Sequence, residues 1–210
     1  MDVAPLFALR LRTPRLELRL PTRPELEELR ELARAGVHPP QEMPFAVAWT
    51  DETYSEDWVV AFHEQQREAW LPDAWDLELG VWANGELSGV QALYAKDFAA
   101  SRAVGTGSWL GRRFQRCGIG TEMRAAVLEL AFRGLGAQVA RSGAIDGNAS
   151  SLRVSEKLGY RVAGRGTVSP RGVEVGHTDV ELRRDDWRPP IAVEINGLGT
   201  CLALFGVSPV

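Results

Sequence analysis

Segment 109–121, WLGRRFQRCGIGT, constrains the fold more than any other part of the chain. It follows an apolar run that predicts a buried strand over residues 103–110. Apolar residues at helical spacing continue over 119–131, so a turn that contains Gly118 and Gly120 joins a strand to a helix. Glycines let backbone N–H groups close around phosphate oxygens, and the first helical turn adds partial positive charge. The segment therefore predicts a diphosphate-binding turn.

Two common nucleotide-binding motifs do not fit this turn. A P-loop requires Gly-Lys-Ser/Thr, and a dinucleotide fingerprint requires a third glycine where Met123 stands. The spacing that remains is Gln115-x-x-Gly118-x-Gly120. The turn also concentrates positive charge in a chain whose formal net charge is −4, through Arg112, Arg113 and Arg116.

The helix after the turn is predicted to be amphipathic. Its apolar residues recur at helical spacing, and Gly134 and Gly136 supply the stop signal. Three charged residues fall off the apolar stripe and are predicted to lie on the surface: Glu122, Arg124 and Glu129.

The spacing Gln115-x-x-Gly118-x-Gly120 resembles the diphosphate-binding signature of the GNAT family, the acyl-CoA-dependent N-acyltransferases. Segment 13–21, TPRLELRLP, is similar to the first strand of the RimJ/RimL-type branch of that family. Segment 148–160, which contains NASS and EKLGY, is similar to its fourth helix and the turn that follows. The resemblance spans roughly residues 10 to 187 and includes actinobacterial-type acetyl- and succinyltransferases. It implies an α/β GNAT fold, with a mixed central sheet whose fourth and fifth strands splay into a cleft flanked by helices.

Patterning along the chain predicts an α/β order of elements. Strands are predicted over 16–20, 76–83, 86–94, 103–110, 138–145, 160–163 and 174–183, and helices over 24–35, 51–70, 119–131 and 149–158. Asn84-Gly85 predicts a two-residue hairpin turn, and the proline-rich segment 37–50 is too long for an ordinary connection.

Length and composition fit one GNAT domain over 1–188 with an apolar extension over 189–210. Asn196-Gly197 lies between two extended runs and predicts a hairpin in that extension.

The net charge of −4 argues against nucleic-acid binding. The count of two cysteines argues against a disulfide framework and fits a reducing cytoplasm. The first residues lack a signal-peptide pattern, and no apolar run approaches the about 20 residues that cross a bilayer.

The resemblance implies that acyl-CoA, with acetyl-CoA or succinyl-CoA as donor, lies in the cleft. Backbone groups of the fourth strand would bind the pantetheine arm, and main-chain amides of the turn would bind the diphosphate. The predicted CoA-binding residues are Trp109, Leu110, Gly111, Arg112, Gln115, Arg116, Cys117, Gly118, Ile119, Gly120, Thr121, Asn148, Ser151 and Lys157.

Acyl transfer from a thioester to an amine requires an unprotonated amine, a stabilised oxyanion and a thiolate that can depart. Asn148 and Ser151 match the family's Asn-x-x-Ser/Ala position beside the donor sulfur. The resemblance therefore implies that Asn148 holds the pantetheine and that the Ser151 hydroxyl meets the leaving thiolate. Ser155 stands where many GNAT enzymes have a tyrosine general acid. Both serines are also compatible with simple helix packing.

The general base is left open by the sequence. Gly105 stands where the RimJ/RimL-type branch often has a glutamate, and the alternatives are Asp146, Asp97, Glu78 or a relay through water. The missing glutamate also motivates a second function, a non-catalytic acyl-CoA-binding sensor or scaffold. For the enzyme, we expect a primary amine of a protein or small molecule as acceptor, and a homo-oligomer without metal or membrane.

Cysteine and histidine residues do not indicate nucleophilic or metal chemistry. Cys117 is predicted to be a turn residue, because direct transfer needs no nucleophilic cysteine. The histidines lack metal-ligand spacing and are predicted to be surface or loop residues: His38, His63 and His177. Five tryptophans in the first half indicate core packing, or an acceptor pocket or dimer contact near the proline-rich loop: Trp49, Trp58, Trp70, Trp75 and Trp82.

Overall fold

The computed structural model describes residues 1–51 and 57–207, and these form one mixed nine-stranded sheet with helices on both faces. The strands are β1 (Arg10–Arg12), β2 (Leu16–Arg19), β3 (Ala74–Ala83), β4 (Glu86–Lys96), β5 (Ala103–Leu110), β6 (Val139–Ile145), β7 (Arg161–Val168), β8 (Val175–Arg183) and β9 (Glu194–Asn196). Their order in the sheet is β7-β8-β6-β5-β4-β3-β2-β1-β9. Neighbours are antiparallel except for the parallel pair β5 and β6.

The helices are α1 (Arg23–Arg34), α2 (Trp58–Glu68), α3 (Phe98–Ser101), α4 (Ile119–Glu129) and α5 (Ala149–Lys157). A π-helical turn, Leu130–Gly134, continues α4. The start of the helix predicted over 51–70 includes residues 52–56, which lie outside the described residues. Among the described helices, none combines the length and apolar character that crossing a membrane requires.

The two faces of the sheet are covered by different helices. Helix α4 packs on one face, against leucines from the first strands and β3 such as Leu18, Leu77 and Leu79. Helices α1 and α2 cover the other face with a second apolar cluster that includes Leu29 and Val90. Because strand residues alternate between faces, each strand presents one row to each helical layer.

The prediction of an amphipathic α4 is wrong, because the helix is buried on nearly every side. Glu122, Arg124 and Glu129 are only 8%, 4% and 8% exposed. The sheet, the β1–β2 edge, α5 and the C-terminal segment surround the helix, so the charged side chains meet partners instead of water. Buried charged groups require such partners.

The C-terminal segment joins the sheet instead of forming the predicted hairpin around Asn196-Gly197. Strand β9 pairs antiparallel with β1, and the chain then turns at Gly197 (φ +76°) into short 3₁₀ helices, Leu198–Thr200 and Leu202–Phe205. A Cβ atom on Gly197 would lie 2.2 Å from the Ala8 carbonyl oxygen, so the turn sits directly against the N-terminal segment. The Trp70 indole N–H donates to the Leu204 carbonyl at 2.7 Å, which ties this segment into the core.

Strands β5 and β6 correspond to the fourth and fifth strands predicted from the sequence, and they diverge as the family resemblance implies. Their ladder consists of Ala103–Val139, Val104–Ala140 and Gly105–Arg141, and the described residues beyond these pairs do not continue it. Side-chain hydrogen bonds close the apex, where the Ser142 hydroxyl donates to the Thr106 carbonyl at 3.3 Å. The wedge between β5 and β6 therefore opens from Thr106 towards the turn before α4.

Candidate active site

The turn at the mouth of the wedge presents a row of backbone N–H groups. Arg116 (φ +61°) and Gly118 (φ +81°) adopt left-handed conformations, and Gly118 caps α4. In the described part of the chain, the backbone N–H groups of residues 116–120 donate to no protein acceptor. The next amide, of Thr121, donates to the Gly118 carbonyl at 3.2 Å. Unpartnered amides at a helix start form a site for an anion.

Side-chain contacts from other segments hold this turn in place. The Gln115 amide group donates to the Val37 carbonyl at 2.7 Å and to the Leu110 carbonyl at 2.9 Å. Arg15 donates to the Cys117 carbonyl at 3.1 Å and also pairs with Glu122. Sequence reasoning missed Arg15, although it lies in segment 13–21, which carried part of the family resemblance.

The three arginines of the turn do not act together. Arg113 pairs with Glu86 at 2.5 Å and lies 4.6 Å from the Phe114 ring centroid. Arg112 is exposed and its backbone N–H donates to the Gly36 carbonyl at 3.1 Å, whereas Arg116 is exposed in the turn itself. The Arg112 side chain lies against Gly36, beside α1, so of the three arginines Arg116 is the one within the turn.

The first turn of α5 forms the other side of the mouth. Asn148 caps this helix, because its side-chain oxygen accepts from the Ser151 N–H at 3.1 Å, and its NH₂ group donates to the Pro44 carbonyl at 3.2 Å. Ser151 is partly buried beside it. Lys157 is exposed in the last turn, about 12 Å along the helix axis from the first residue. Asn148 and Ser151 thus lie together at the start of α5, and Lys157 lies at its end.

Other predicted residues of the turn have structural contacts of their own. Ile119 is buried in the core at 7% exposure. Cys117 is exposed, and its thiol contacts the Gln115 carbonyl at 3.3 Å. A Cβ atom on Gly120 would meet Val154 only at 3.7 Å, so that position leaves space at the helix start.

A buried arginine lies beneath the wedge, and sequence reasoning missed it. The Arg124 guanidinium donates to the Ser155 hydroxyl at 3.0 Å and to the Ser108 hydroxyl at 3.4 Å. The Ser155 hydroxyl in turn donates to the Ser151 carbonyl at 3.2 Å. Burial lowers the pKa of Arg124, against the electrostatic effect of Tyr160. No periodic feature of the sequence distinguishes this residue from a surface arginine.

Two carboxyl groups lie on β3, on the sheet face towards α1 and α2 and two strands away from Gly105. The Tyr94 ring lies across Gly105, where a Cβ atom would stand 2.1 Å from a ring carbon, so a side chain at position 105 would require the Tyr94 ring to move. Asp76 is paired with Tyr94 in the sheet, and Glu78 follows on the same face. Burial raises the pKa of Asp76 to about 6, and burial together with the nearby Asp76 raises the pKa of Glu78.

The other candidate bases lie in different surroundings. Asp97 is exposed after the end of β4, and Asp146 is exposed after the end of β6. His177 is 22% exposed, lies against Gly143 on β6, and contacts Asp179 at 3.2 Å. His177 lies on β8, between β6 and β7, and faces Gly143 because of the register of β6 with β8.

The prediction that His63 is a surface or loop residue is wrong. His63 lies on α2, is 3% exposed, and burial lowers its pKa to about 3. His38, by contrast, lies in the proline-rich loop and contacts Thr50 at 2.7 Å.

Aromatic rings connect the proline-rich loop to β5. Trp49 stacks on Trp58 with 5.2 Å between centroids, and it also lies 5.2 Å from Phe45 and 5.5 Å from Trp109. These partly buried rings border the wedge on the side of α1 and α2. They can therefore pack the helices and also limit the space available to an acceptor.

Residues 15–161 match the family model of the acetyltransferase (GNAT) domain, a span of well over half of the chain. The chain belongs to the GNAT acetyltransferase family. The sheet order, the wedge and the glycine turn are the features that this membership predicts, so the α/β GNAT fold expected from the sequence is confirmed. Membership also supports acyl-CoA-dependent N-acetyltransferase activity.

Solved GNAT structures share this fold at low sequence identity. Mycobacterium smegmatis RimJ in complex with CoA-disulfide is 16% identical, with a TM-score of 0.72 and 95% of each chain covered. RimL, a ribosomal L7/L12 alpha-N-protein acetyltransferase, is 17% identical, with a TM-score of 0.63 and 81% of this chain and 91% of that chain covered. Microcin C7 self immunity acetyltransferase MccE, in complex with acetyl-CoA and AMP, is 20% identical, with a TM-score of 0.64 and coverages of 81% and 93%.

Proposed function

We propose that this GNAT protein transfers an acetyl group from acetyl-CoA to a primary amine, with the donor held between β5 and β6. The observation that carries the proposal is the row of unpartnered amides at residues 116–120, placed at the mouth of a wedge between two strands. A diphosphate satisfies these amides, and Arg116 adds positive charge within the turn. The pantetheine arm then extends along the wedge edge of Trp109, Leu110 and Gly111.

The residues of α5 face the donor from the opposite side. Asn148 and Ser151 lie at the mouth, where Asn148 holds the pantetheine and Ser151 contacts the sulfur region. A backbone N–H on the free edge of β5 serves the oxyanion that forms when the amine attacks the thioester. Asn148 also anchors the proline-rich loop through Pro44, which places that loop over the donor.

Glu78, together with Asp76, is our candidate for the general base. An alkylamine has a pKa near 10, so it must lose a proton before it attacks. The carboxyl pair lies on the sheet face towards α1 and α2, two strands from β5, and its raised pKa suits a proton acceptor that works near neutral pH. Asp97 and Asp146 are exposed and lack this environment.

A screen of donors and acceptors tests the proposed function. Purified protein is incubated with acetyl-CoA or succinyl-CoA and a panel of peptides and small amines, and thiol release is followed together with the intact mass of each acceptor. We expect saturable CoA binding in calorimetry and an acceptor mass that increases by one acetyl group. Succinyl-CoA is the alternative donor, and a larger mass increase with it alone would replace acetyl-CoA in the proposal.

Two substitutions test the base. Glu78→Gln should lower kcat/KM by about 10²- to 10⁴-fold while CoA binding remains, because general-base catalysis is of that size. Asp97→Asn is the matched control and should leave the rate unchanged. CoA binding without turnover on any amine would favour the sensor or scaffold, and no CoA binding would refute both functions. The homo-oligomeric state and cytoplasmic location stay predictions.

A further inference from the structure

Arg124 is a buried cation without a carboxylate partner among the described residues. It is 4% exposed, and its hydrogen bonds go to two serine hydroxyls, while its Nε–H group is buried and has no partner in the described structure. Arginine keeps its charge in proteins, and an uncompensated buried charge is costly. The site therefore lacks an anion that would complete it.

The other buried charges on α4 do have ionic partners. Glu122 pairs with Arg15, and Glu129 pairs with Arg133 at 3.0 Å while also accepting from the Trp187 indole N–H. Arg124 differs from both although it lies on the same helix. The absence of an ionic partner is therefore specific to Arg124 among these three buried charged residues of α4.

The position of Arg124 indicates which anion it meets. Ser108 lies on the splayed part of β5, between the last paired residue, Gly105, and the stretch proposed to hold pantetheine. Ser155 lies on α5, which follows β6 in the chain. The guanidinium thus bridges the two sides of the wedge, further inside than the diphosphate turn. Along a donor that enters at the mouth, this is where the thioester sulfur lies.

We propose that Arg124 stabilises the CoA thiolate that leaves during acyl transfer, an inference that rests on the proposed function. The amine nitrogen attacks the thioester carbon, and its proton passes to the Asp76–Glu78 pair. The carbon–sulfur bond then breaks, and its electron pair remains on sulfur as a thiolate. The Nε–H group of Arg124 faces that charge, and the thiolate takes up a proton from water when CoA departs.

This assignment also explains Ser155, at the position where many GNAT enzymes have a tyrosine general acid. Its hydroxyl donates to the Ser151 carbonyl and accepts from Arg124, so its proton is already engaged. Ser155 is therefore a positioning residue that fixes the guanidinium. The cation stabilises the leaving group by charge and does not need to supply a proton.

The titration of bound CoA tests the proposal on the unaltered protein. Calorimetry compares CoA with desulfo-CoA, which lacks the sulfur atom, across a pH series. Tyr160 and Tyr94 are the titratable groups that act on Arg124, and burial raises the pKa of both, so they stay neutral in this series. We expect CoA to bind more tightly as the pH rises towards about 8.5, the ordinary pKa of a thiol, while desulfo-CoA affinity follows no such trend. Identical pH profiles for the two ligands would overturn the proposal.

Substitutions separate this role from a structural one. Arg124→Met should lower kcat for acetyl transfer by about 10²- to 10³-fold with little change in desulfo-CoA affinity, and Arg124→Lys should recover part of the rate. Ser155→Ala, which keeps the cation, should have a smaller effect. A loss confined to succinyl-CoA would contradict the thiolate role and assign Arg124 to the acyl carboxylate. Failure of the wild type to acylate any amine would refute the proposed function alone, since the CoA titration is measured separately.

Discussion

The ion pair between Arg15 and Glu122 allows a sharp test of how the diphosphate turn is held. The two Arg15–Glu122 contacts measure 2.5 and 2.7 Å, and Glu122 is 8% exposed whereas the Arg15 side chain is 47% exposed. Removing one partner of a fully buried pair costs about 3–5 kcal/mol. Here the carboxylate keeps its hydrogen bonds from the Thr13 hydroxyl and the Arg15 backbone, so we expect Arg15→Met to cost about 2 kcal/mol of unfolding free energy.

The assay is urea unfolding of a double-mutant cycle. Glu122→Gln removes the charge that Arg15→Met leaves unpaired, so the double variant should be more stable than the sum of the two losses predicts, by about 1 kcal/mol. The matched control is Arg12→Met. Arg12 pairs with Glu17 at 2.8 Å, but these side chains are 53% and 31% exposed, so its loss should stay below about 1 kcal/mol.

The same variants report on the ligand. Arg15 also donates to the Cys117 carbonyl, so its loss frees the turn and should weaken CoA binding in calorimetry, whereas Arg12→Met should not. A coupling energy within about 0.5 kcal/mol of zero, or equal losses of CoA affinity in both variants, would refute the reasoning.

Three further predictions concern titration and backbone strain. His63 is neutral in the folded protein, because its pKa is about 3 there against 6.5 in the unfolded chain. The unfolding free energy should therefore fall by up to about 1.4 kcal/mol per pH unit as the pH drops below 6.5. His63→Gln should flatten that slope when urea unfolding is repeated across the pH range. The pH dependence due to Asp76 has the opposite sign. Because its pKa is raised to about 6, the protonated carboxyl group favours the folded state below pH 3.8, and this stabilisation is lost as the pH rises to about 6. Asp76→Asn should therefore raise the unfolding free energy at pH 7 by about 3 kcal/mol. Gly118→Ala and Gly136→Ala should each cost about 1–2 kcal/mol because both residues have positive φ, but only Gly118→Ala should weaken CoA binding in calorimetry.

Local patterns in the sequence were sufficient for the elements that form the mouth of the wedge. Strand β5 has the predicted bounds, because an apolar run leads directly into a glycine turn. The N-cap contact of Asn148 is local in the same way, since it joins a side chain to an amide three residues along the chain. These features involve neighbours in the chain, which a sequence pattern describes directly.

Features that depend on distant segments could not be predicted in this way. The periodicity of α4 indicates an apolar stripe but does not show that other elements also cover the opposite face, so Arg124 was placed on the surface. Strand β9 pairs with β1, which lies at the other end of the chain, and no local signal specifies that edge. The carboxyl pair on β3 shares a face of the sheet with Gly105 through the register of β3 with β4 and of β4 with β5.

Position 105 shows how strand register determines which carboxyl groups share a face of the sheet with the wedge. In the sequence, Gly105 stands where the RimJ/RimL-type branch often has a glutamate, and this difference motivates the non-catalytic alternative. In the structure the Tyr94 ring fills that space, and the strand pairing that places Tyr94 opposite Gly105 also places Asp76 opposite Tyr94. A carboxyl group thus remains on the same face, two strands away from β5. If this arrangement supplies the base, Tyr94→Ala should disturb the acceptor side of the wedge and lower kcat/KM, while CoA affinity, which depends on the turn at the mouth, should stay unchanged.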